Sequence, residues 1–443
     1  MVYSMYPFRT HNHETAAKLR MAWLCAALLA GLPLAVQAAE ELGPKVHRLV
    51  RQLNAPEAVQ RDAAQVQLIE LGAPALDLLP AASDALPAEE QHRLMQIRQN
   101  LERSLATATA QASLVTLHAQ AMPLADVLSA ISQQTGNKLV DVRQQRGQPS
   151  ANSPITIDLD RVPFWQALDR VLDQAGLEVD PFAGEDTLQI LARGEKLQSR
   201  AERASYSGPF RIEPTQIVAQ RDLRNPANQA LNVWLEIAWE PRVRPISIRQ
   251  KATDLTALGD AGRPLAVVDR QSVLEPAVHP GTAAVQLALP LELPPRSVRQ
   301  ITQLRASLAV LLPGRVEAFR FGQLGKAVNV EKRIAGATVT VARVVRDDDI
   351  WAVDMSVCFD QPEEALESHR SWIFGNEAYL EGPDGKPLLP GTFETTEQKR
   401  NEIGAKYMFD RKGPLDDYQF VYKTPVLILG TKCDYELKGI ALP

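Results

Sequence analysis

Three spacings of apolar residues follow one another along the chain, and each predicts a different local structure. Between residues 44 and 106 the spacing is helical. Val59, Ala63 and Val66 form one stripe that closes at Leu71 and Gly72, where the glycine suits a left-handed cap. Pro74 stands where the next helix would begin, with Leu76 and Leu79 as its apolar stripe. A third helix follows Pro87 and carries Leu94, Ile97, Leu101 and Leu105 on one face.

Residues 112–192 mix the two regular periods. Residues 114–118 read as a strand, and 123–135 as a helix with Leu124, Val127, Leu128 and Ile131 on one face and Gly136 as its stop. Residues 139–142 and 155–159 are strands. Phe164, Leu168, Val171, Leu172 and Ala175 mark a second helix, stopped by Gly176, before short strands at 177–179 and 188–191. The order β-α-β-β-α-β-β predicts one small sheet with both helices on one face. Residues 193–208 are polar and poor in large apolar side chains, which predicts an exposed linker.

Beyond residue 208 the alternation is strand-like and it repeats. VWLEIAWEPR (233–242) aligns with AVDMSVCFDQP (352–362) when Trp239 is set on Phe359, an offset of 120. LGDAGRPL (258–265) matches LEGPDGKPL (380–388), each a glycine-containing turn before an apolar pair. SLAVLLPGRVEAFRF (307–321) matches TPVLILGTKCDYEL (424–437) at an offset of 116. Three matches in one order predict an internal duplication. Each copy has the length and texture of a β-sandwich, with a jelly-roll-like sandwich or one large β domain as alternatives. Period-2 alternation puts Val233, Leu235, Ile237 and Trp239 on the core face and Trp234 on the outer face. It also turns Cys358 outward and Cys433 inward. Opposite faces argue against a disulfide between them, although an exported chain would permit one.

The bulk properties add a compartment and remove a class of partner. Net charge is -5, with no Lys/Arg cluster of the kind a nucleic-acid surface needs. Near the start, Lys18 and Arg20 precede an apolar run over residues 21–34, and Val36-Gln37-Ala38 follows. That order is a secretory signal with cleavage between Ala38 and Ala39. The run is shorter than the ~20 residues of a span and contains Gly31 and Pro33, so membrane attachment would arise only through an uncleaved signal.

VQRDAAQVQLIELGAPALDLL resembles a HEAT-type helical hairpin, over little more than one repeat. VTLHAQAMPLADVLSAISQQTGNKLV followed by ITIDLDRVPFWQALDRVLDQAGLEV resembles the short N-terminal domain shared by secretins and TonB-dependent receptors. That resemblance implies a periplasmic interaction module with no chemistry of its own. The duplicated half resembles tandem immunoglobulin-like sandwiches. The expected fold is multidomain α+β: a signal peptide (1–38), a helical segment (39–108), a small α/β sheet domain (109–192), a linker (193–208) and two tandem antiparallel β-sandwich domains (209–325 and 326–443).

Catalytic constellations are not legible. The five histidines beyond residue 38 (His47, His92, His118, His279 and His369) are scattered, and only His11 and His13 are close, inside the signal. There is no nucleophile elbow, phosphate loop or dinucleotide fingerprint. Asp347-Asp348-Asp349 reads as a hairpin turn, and Glu363, Glu364 and Glu367 as a charged turn. No catalytic, cofactor or metal residues are therefore assigned. The expected function is an exported non-enzymatic binding or scaffold protein acting on envelope proteins, with Trp234 as candidate interaction surface. A carbohydrate-active or other hydrolase on a β-sandwich, with a glycan as ligand, is one alternative. An accessory subunit of an envelope secretion machine is the other.

Overall fold

Among the described residues strands fill most of the chain beyond residue 110, and α-helices are confined to the N-terminal part and one small module, giving a multidomain, mostly β, α+β fold. The computed structural model describes residues 32–80, 86–194, 198–225, 229–362, 364–367 and 372–443, with side chains from residue 42 onward except at 261. The chain divides into two compact parts between Leu101 and Glu102.

The first part contains α1 (Leu32–Gln52), α2 (Ala58–Glu70), a 3-10 turn (Ala73–Leu78) and the start of α3 (Ala88–Thr109). Its core is Val46 and Leu49 from α1, Leu53 just after it, Ala64 and Leu68 from α2, and Leu76, Leu94 and Ile97 beyond. The expected stripe of Val59, Ala63 and Val66 is instead exposed, Val59 by 78% and Val66 by 54%. The bulkier Leu68 directs the face, and Arg61, Asp62 and Gln65 turn with it to bond α3. Arg61 reaches Glu89 at 2.9 Å, Arg93 reaches Asp62 at 2.8 Å, and Gln65 donates to Gln96 at 3.0 Å. The helix expected after Pro74 is only the 3-10 turn.

In the second part, the α/β module runs β1 (Leu114–Pro123), α4 (Leu124–Thr135), β2 (Lys138–Asp141), β3 (Pro154–Pro163), α5 (Phe164–Ala175), β4 (Leu177–Asp180) and β5 (Thr187–Ala192). The element order is the expected one, but the single sheet is two. β1 and β3 make an antiparallel ribbon, and β2, β5 and β4 a separate three-stranded sheet. The module is built twice at a spacing of 40 residues. Ala121 and Arg161 both take φ +49. The Ala121 N–H donates to Thr156 Oγ1 at 3.0 Å, and the Arg161 N–H to Thr116 Oγ1 at 3.1 Å. The first helical N–H of each copy donates across, Leu124 to the Ser153 carbonyl and Phe164 to the Ser113 carbonyl. Gly136 and Gly176 close the helices in the left-handed region that favours glycine. These crossed bonds hold two strand-kink-helix units together about a local twofold.

The remainder contains β6 (Ser205–Ser207), β7 (Phe210–Arg221), β8 (Gln229–Trp239), β9 (Ser247–Lys251), β10 (Thr256–Gly259), β11 (Pro264–Leu265), β12 (Val273–Leu274), β13 (Ala284–Leu291) and β14 (Gln300–Pro313). It continues with β15 (Val316–Phe321), β16 (Val328–Ile334), β17 (Ala337–Asp347), β18 (Ile350–Phe359), β19 (Ala378–Glu381), β20 (Pro387–Leu388), β21 (Thr392–Gln398), β22 (Glu402–Asp410), β23 (Gln419–Pro425) and β24 (Ile428–Ala441). One sandwich packs the sheet β13-β8-β7-β6 on a sheet centred on β14, which carries β9 and β10 along one edge. The other packs β16-β17-β18-β22-β21 on β15-β23-β19-β20.

Strand pairing departs from the expected boundary between residues 325 and 326. β15 pairs with β23 in the second sandwich, whereas β24 runs along β14 in the first, from Pro313 opposite Ile428 to Gln300 opposite Ala441. The second sandwich is thus inserted at the tip of a long hairpin belonging to the first. The expected linker is also bonded in place. Ser199, Arg200 and Ala201 all donate to the Asp173 carboxylate, and β6 pairs with β7.

Candidate functional site

The outer face of β13-β8-β7 is divided in two. Val233, Leu235, Ile237 and Trp239 of β8 are at most 1% exposed and point into the sandwich. Residues of opposite parity point outward, as alternation requires. At one end of the sheet these outward residues are nevertheless buried: Arg211 and Glu213 on β7, Glu236 and Ala238 on β8. The α/β module lies on them, and one continuous hydrophobic core runs from Leu168 and Val171 of α5 to Trp239 and Leu308 of the sandwich.

Two polar networks fix this junction. In the first, Arg211 donates through Nε to Asp169 of α5 at 2.7 Å and pairs with Glu213. Tyr206 donates to the same Asp169 oxygen at 2.6 Å, and Arg200 reaches Glu236 at 3.0 Å and also pairs with Glu213. Burial pushes the Glu213 carboxyl up, but the Arg211 and Arg200 charges outweigh it and hold it below the usual range. In the second, Glu240 accepts from the Ser113 N–H and from Asn137 Nδ2, both at 2.9 Å, and Arg242 Nε donates to it at 2.7 Å. Trp165 of α5 adds a bond from its indole N–H to the Pro209 carbonyl at 3.1 Å.

Beyond the module's edge the outer face is less deeply buried. Trp234 sits there, half-buried, between Gln216 on β7 and Ala288 on β13. One step along, Asn232 lies between Val218 and Pro290. Three adjacent strands therefore place Trp234, Val218, Ala288 and Pro290 as an apolar island next to a polar rim of Gln216 and Asn232. A large flat indole at the centre of such a patch is the residue type that anchors protein contacts. Sequence parity pointed to Trp234. The other members were not legible, because they come from strands whose register no local signal reveals.

The remaining candidate residues are dispersed. Ala38 and Ala39 lie within α1, while residues 1–31, with His11 and His13, and also Glu363 and His369, lie outside the described residues. Cys358 is half-buried on the outer face of β18 and Cys433 is buried inside the first sandwich; both are free thiols. Burial pushes the Cys433 thiol up to about 12. Asp348 and Asp349 form the turn between β17 and β18, with Asp348 at φ +50. Among the described residues there is no group of three or more His, Cys, Asp or Glu placed to hold a metal ion, and no helix long and apolar enough to cross a membrane. An open groove of about 500 Å³ along β14 and β24 carries Asp254, Arg305, Asp434 and Glu436. Hydrogen bonds from Gln303 and Lys438 hold the Glu436 carboxyl low, the reverse of what a general acid needs. Comparison with protein-family models, curated proteins and solved structures returns no match.

Proposed function

We propose that this chain is an exported, non-enzymatic binding and scaffold protein of the cell envelope, whose α/β module and first sandwich form one rigid platform. The observation that carries this reading is the divided sheet face. One half is consumed in fusing the module to the sandwich, and the other carries the half-buried Trp234 island. A rigid platform with an aromatic anchor limits the ordering cost of association. The resemblance of the module to the secretin and TonB-dependent receptor domain supports a protein partner in the envelope.

The matching strand orders, β6-β7-β8-β13 beside β16-β17-β18-β22 and β11-β10-β14-β24 beside β20-β19-β23-β15, support the duplication. In that reading each copy has given its last strand to the other. The second sandwich then acts as an inserted arm. Export rests on the order of charge, apolar run and small residues before Ala39. N-terminal sequencing of the protein recovered from its native envelope should begin at Ala39; a chain beginning upstream would count for a retained anchor.

Tagged wild type and Trp234→Ala should be used in parallel to retrieve partners from that envelope. Truncating a central aromatic anchor is expected to weaken retention by about 2 kcal/mol or more, roughly thirtyfold. Equal recovery by both proteins would remove Trp234 from the interface. Retrieval of a secretin barrel would specify the accessory-subunit version of the reading, and release by soluble glycan would favour the carbohydrate alternative.

A further inference from the structure

The junction beneath the α/β module carries more negative than positive side chains, and most of them are buried. Asp169 is 1% exposed, Arg211 0%, Glu213 9% and Glu236 9%. Every element around the cluster contributes. α5 supplies Asp169, with Asp173 one turn on and paired to Arg193. The 199–204 segment supplies Arg200, β6 supplies Tyr206, β7 supplies Arg211 and Glu213, and β8 supplies Glu236. Asp173 has its own cation and three further donors, so the central set is three carboxylates around two guanidinium groups. An uncompensated buried charge is expensive, and a proton is the smallest ion that removes it.

The geometry selects where that proton sits. Asp169 has Arg211 and the Tyr206 hydroxyl, both within 2.7 Å, and Glu213 is bridged by both arginines. Glu236 has the longest ion pairs of the three carboxylates, 3.0 Å to Arg200 and 3.7 Å to Arg211. We propose that the junction holds one proton on Glu236, and that losing it loosens the 199–207 segment and the α/β module from the first sandwich. Burial raises the Glu236 carboxyl above its ordinary value, with Arg200 opposing and Glu213 adding to the rise. The sign follows: a carboxyl raised in the folded state contributes stability at low pH that is lost as pH rises through its folded value. Asp173 and Glu213, both lowered, act in the opposite sense, so their contribution is lost only on acidification below the ordinary carboxylate range. The junction is therefore tightest near the ordinary carboxylate range and relaxes as pH rises from there through the raised Glu236 value.

Hydrogen exchange of the full chain, corrected for intrinsic rates, tests this between about pH 5 and about pH 8. Protection of amides 199–207 should fall with rising pH, by up to about tenfold for each pH unit, between the ordinary glutamate value and the raised Glu236 midpoint, and level off above it. Glu236→Gln, which keeps the shape and the neutral form, should stay protected throughout. A flat wild-type profile, or a variant that follows the wild type, overturns the proposal. Infrared spectroscopy of the wild type supplies a second arm. A protonated carboxyl band that is missing from Glu236→Gln should persist above the pH at which ordinary carboxylates have ionised, and its absence would equally overturn the proposal.

Discussion

The two sandwiches share a strand order but differ in what their outer faces do. Where the first has Arg211 opposite Ala238, the second has Thr338 opposite Cys358; where the first has Glu236 and Trp234, the second has Ser356 and Asp354. The first face is covered at one end by the α/β module and carries a half-buried indole at its other end. The second is a polar surface, with Asp354 bonded to Arg343 at 2.6 Å and opposite Lys406. Each sandwich nevertheless keeps its own inner core, with Trp239 in one and Phe359 in the other. The inner face is therefore set by the need to fill a sandwich, while the outer face records what each sandwich is attached to.

The largest test of this comparison removes the exchanged strand. Ending the chain after Leu427 deletes β24, and with it Cys433, Tyr435, Leu437 and Ile440 from the first core. At ~1.5–3 kcal/mol for each buried apolar side chain, the loss approaches the whole stability of a typical domain. Amides of 229–239 in the first sandwich should lose exchange protection, while 350–359 in the second keep theirs. Protection lost only in the second would return β24 to that sandwich. Next in size, Trp239→Ala and Phe359→Ala should each cost ~3–5 kcal/mol and lower the stability of different regions. Chemical denaturation followed by exchange would read them separately, and a single shared response would merge the two cores into one.

How much of this was legible depends on the range of the forces involved. The alternation on β8 and β18 is a local property of the chain, so the inward Val233 and outward Trp234 could be read directly. The capping glycines Gly136 and Gly176 were equally legible, since a left-handed backbone favours one residue type. The exchange of β15 and β24 was hidden, because a strand's sequence carries its face but not its partner. The 193–208 stretch looked like a linker because Arg200 and Ser205 are polar. Their partners, Glu213 and the backbone of Glu436, lie outside the stretch itself. The face of α2 was misread because Val59, Ala63 and Val66 are small, and Leu68 with the Arg61 and Gln65 bonds decided the packing instead.

The covered half of the first sheet predicts an asymmetry of similar size. Arg211→Ala would leave Asp169, Glu213 and Glu236 buried around a single guanidinium. Breaking a buried ion network by removing one partner costs ~3–5 kcal/mol. The corresponding change in the second sandwich, Thr338→Ala, removes an uncharged, half-buried side chain from the outer face, and should stay within ~0.5 kcal/mol. Comparable losses at the two positions would mean that the second face is also covered in solution.

The smallest expected effect separates the sandwiches by chemistry without altering their stability. The Cys433 thiol lies in the first core, raised to about 12 by burial, with the Ser207 carbonyl at 3.8 Å as its hydrogen-bond acceptor. Cys358 stands on the outer face of the second sandwich. Its thiol is raised by burial and then by Glu402 and Asp360, but it is half accessible and accepts a bond from Asn401 at 3.4 Å. Only the thiolate attacks an alkylating reagent, so both rates should rise with pH. Access then decides between them. Mass spectrometry of the native protein should find modification at Cys358 at least about tenfold faster than at Cys433. Cys433 should react at the rate at which the first sandwich opens. In the chain ended after Leu427, Cys433 is gone and the Cys358 rate should not move, because β18 keeps β17 and β22 as neighbours. A faster Cys358 in that truncated chain would show that the inserted sandwich depends on the first for its own fold, and the two would then have to be treated as one cooperative structure.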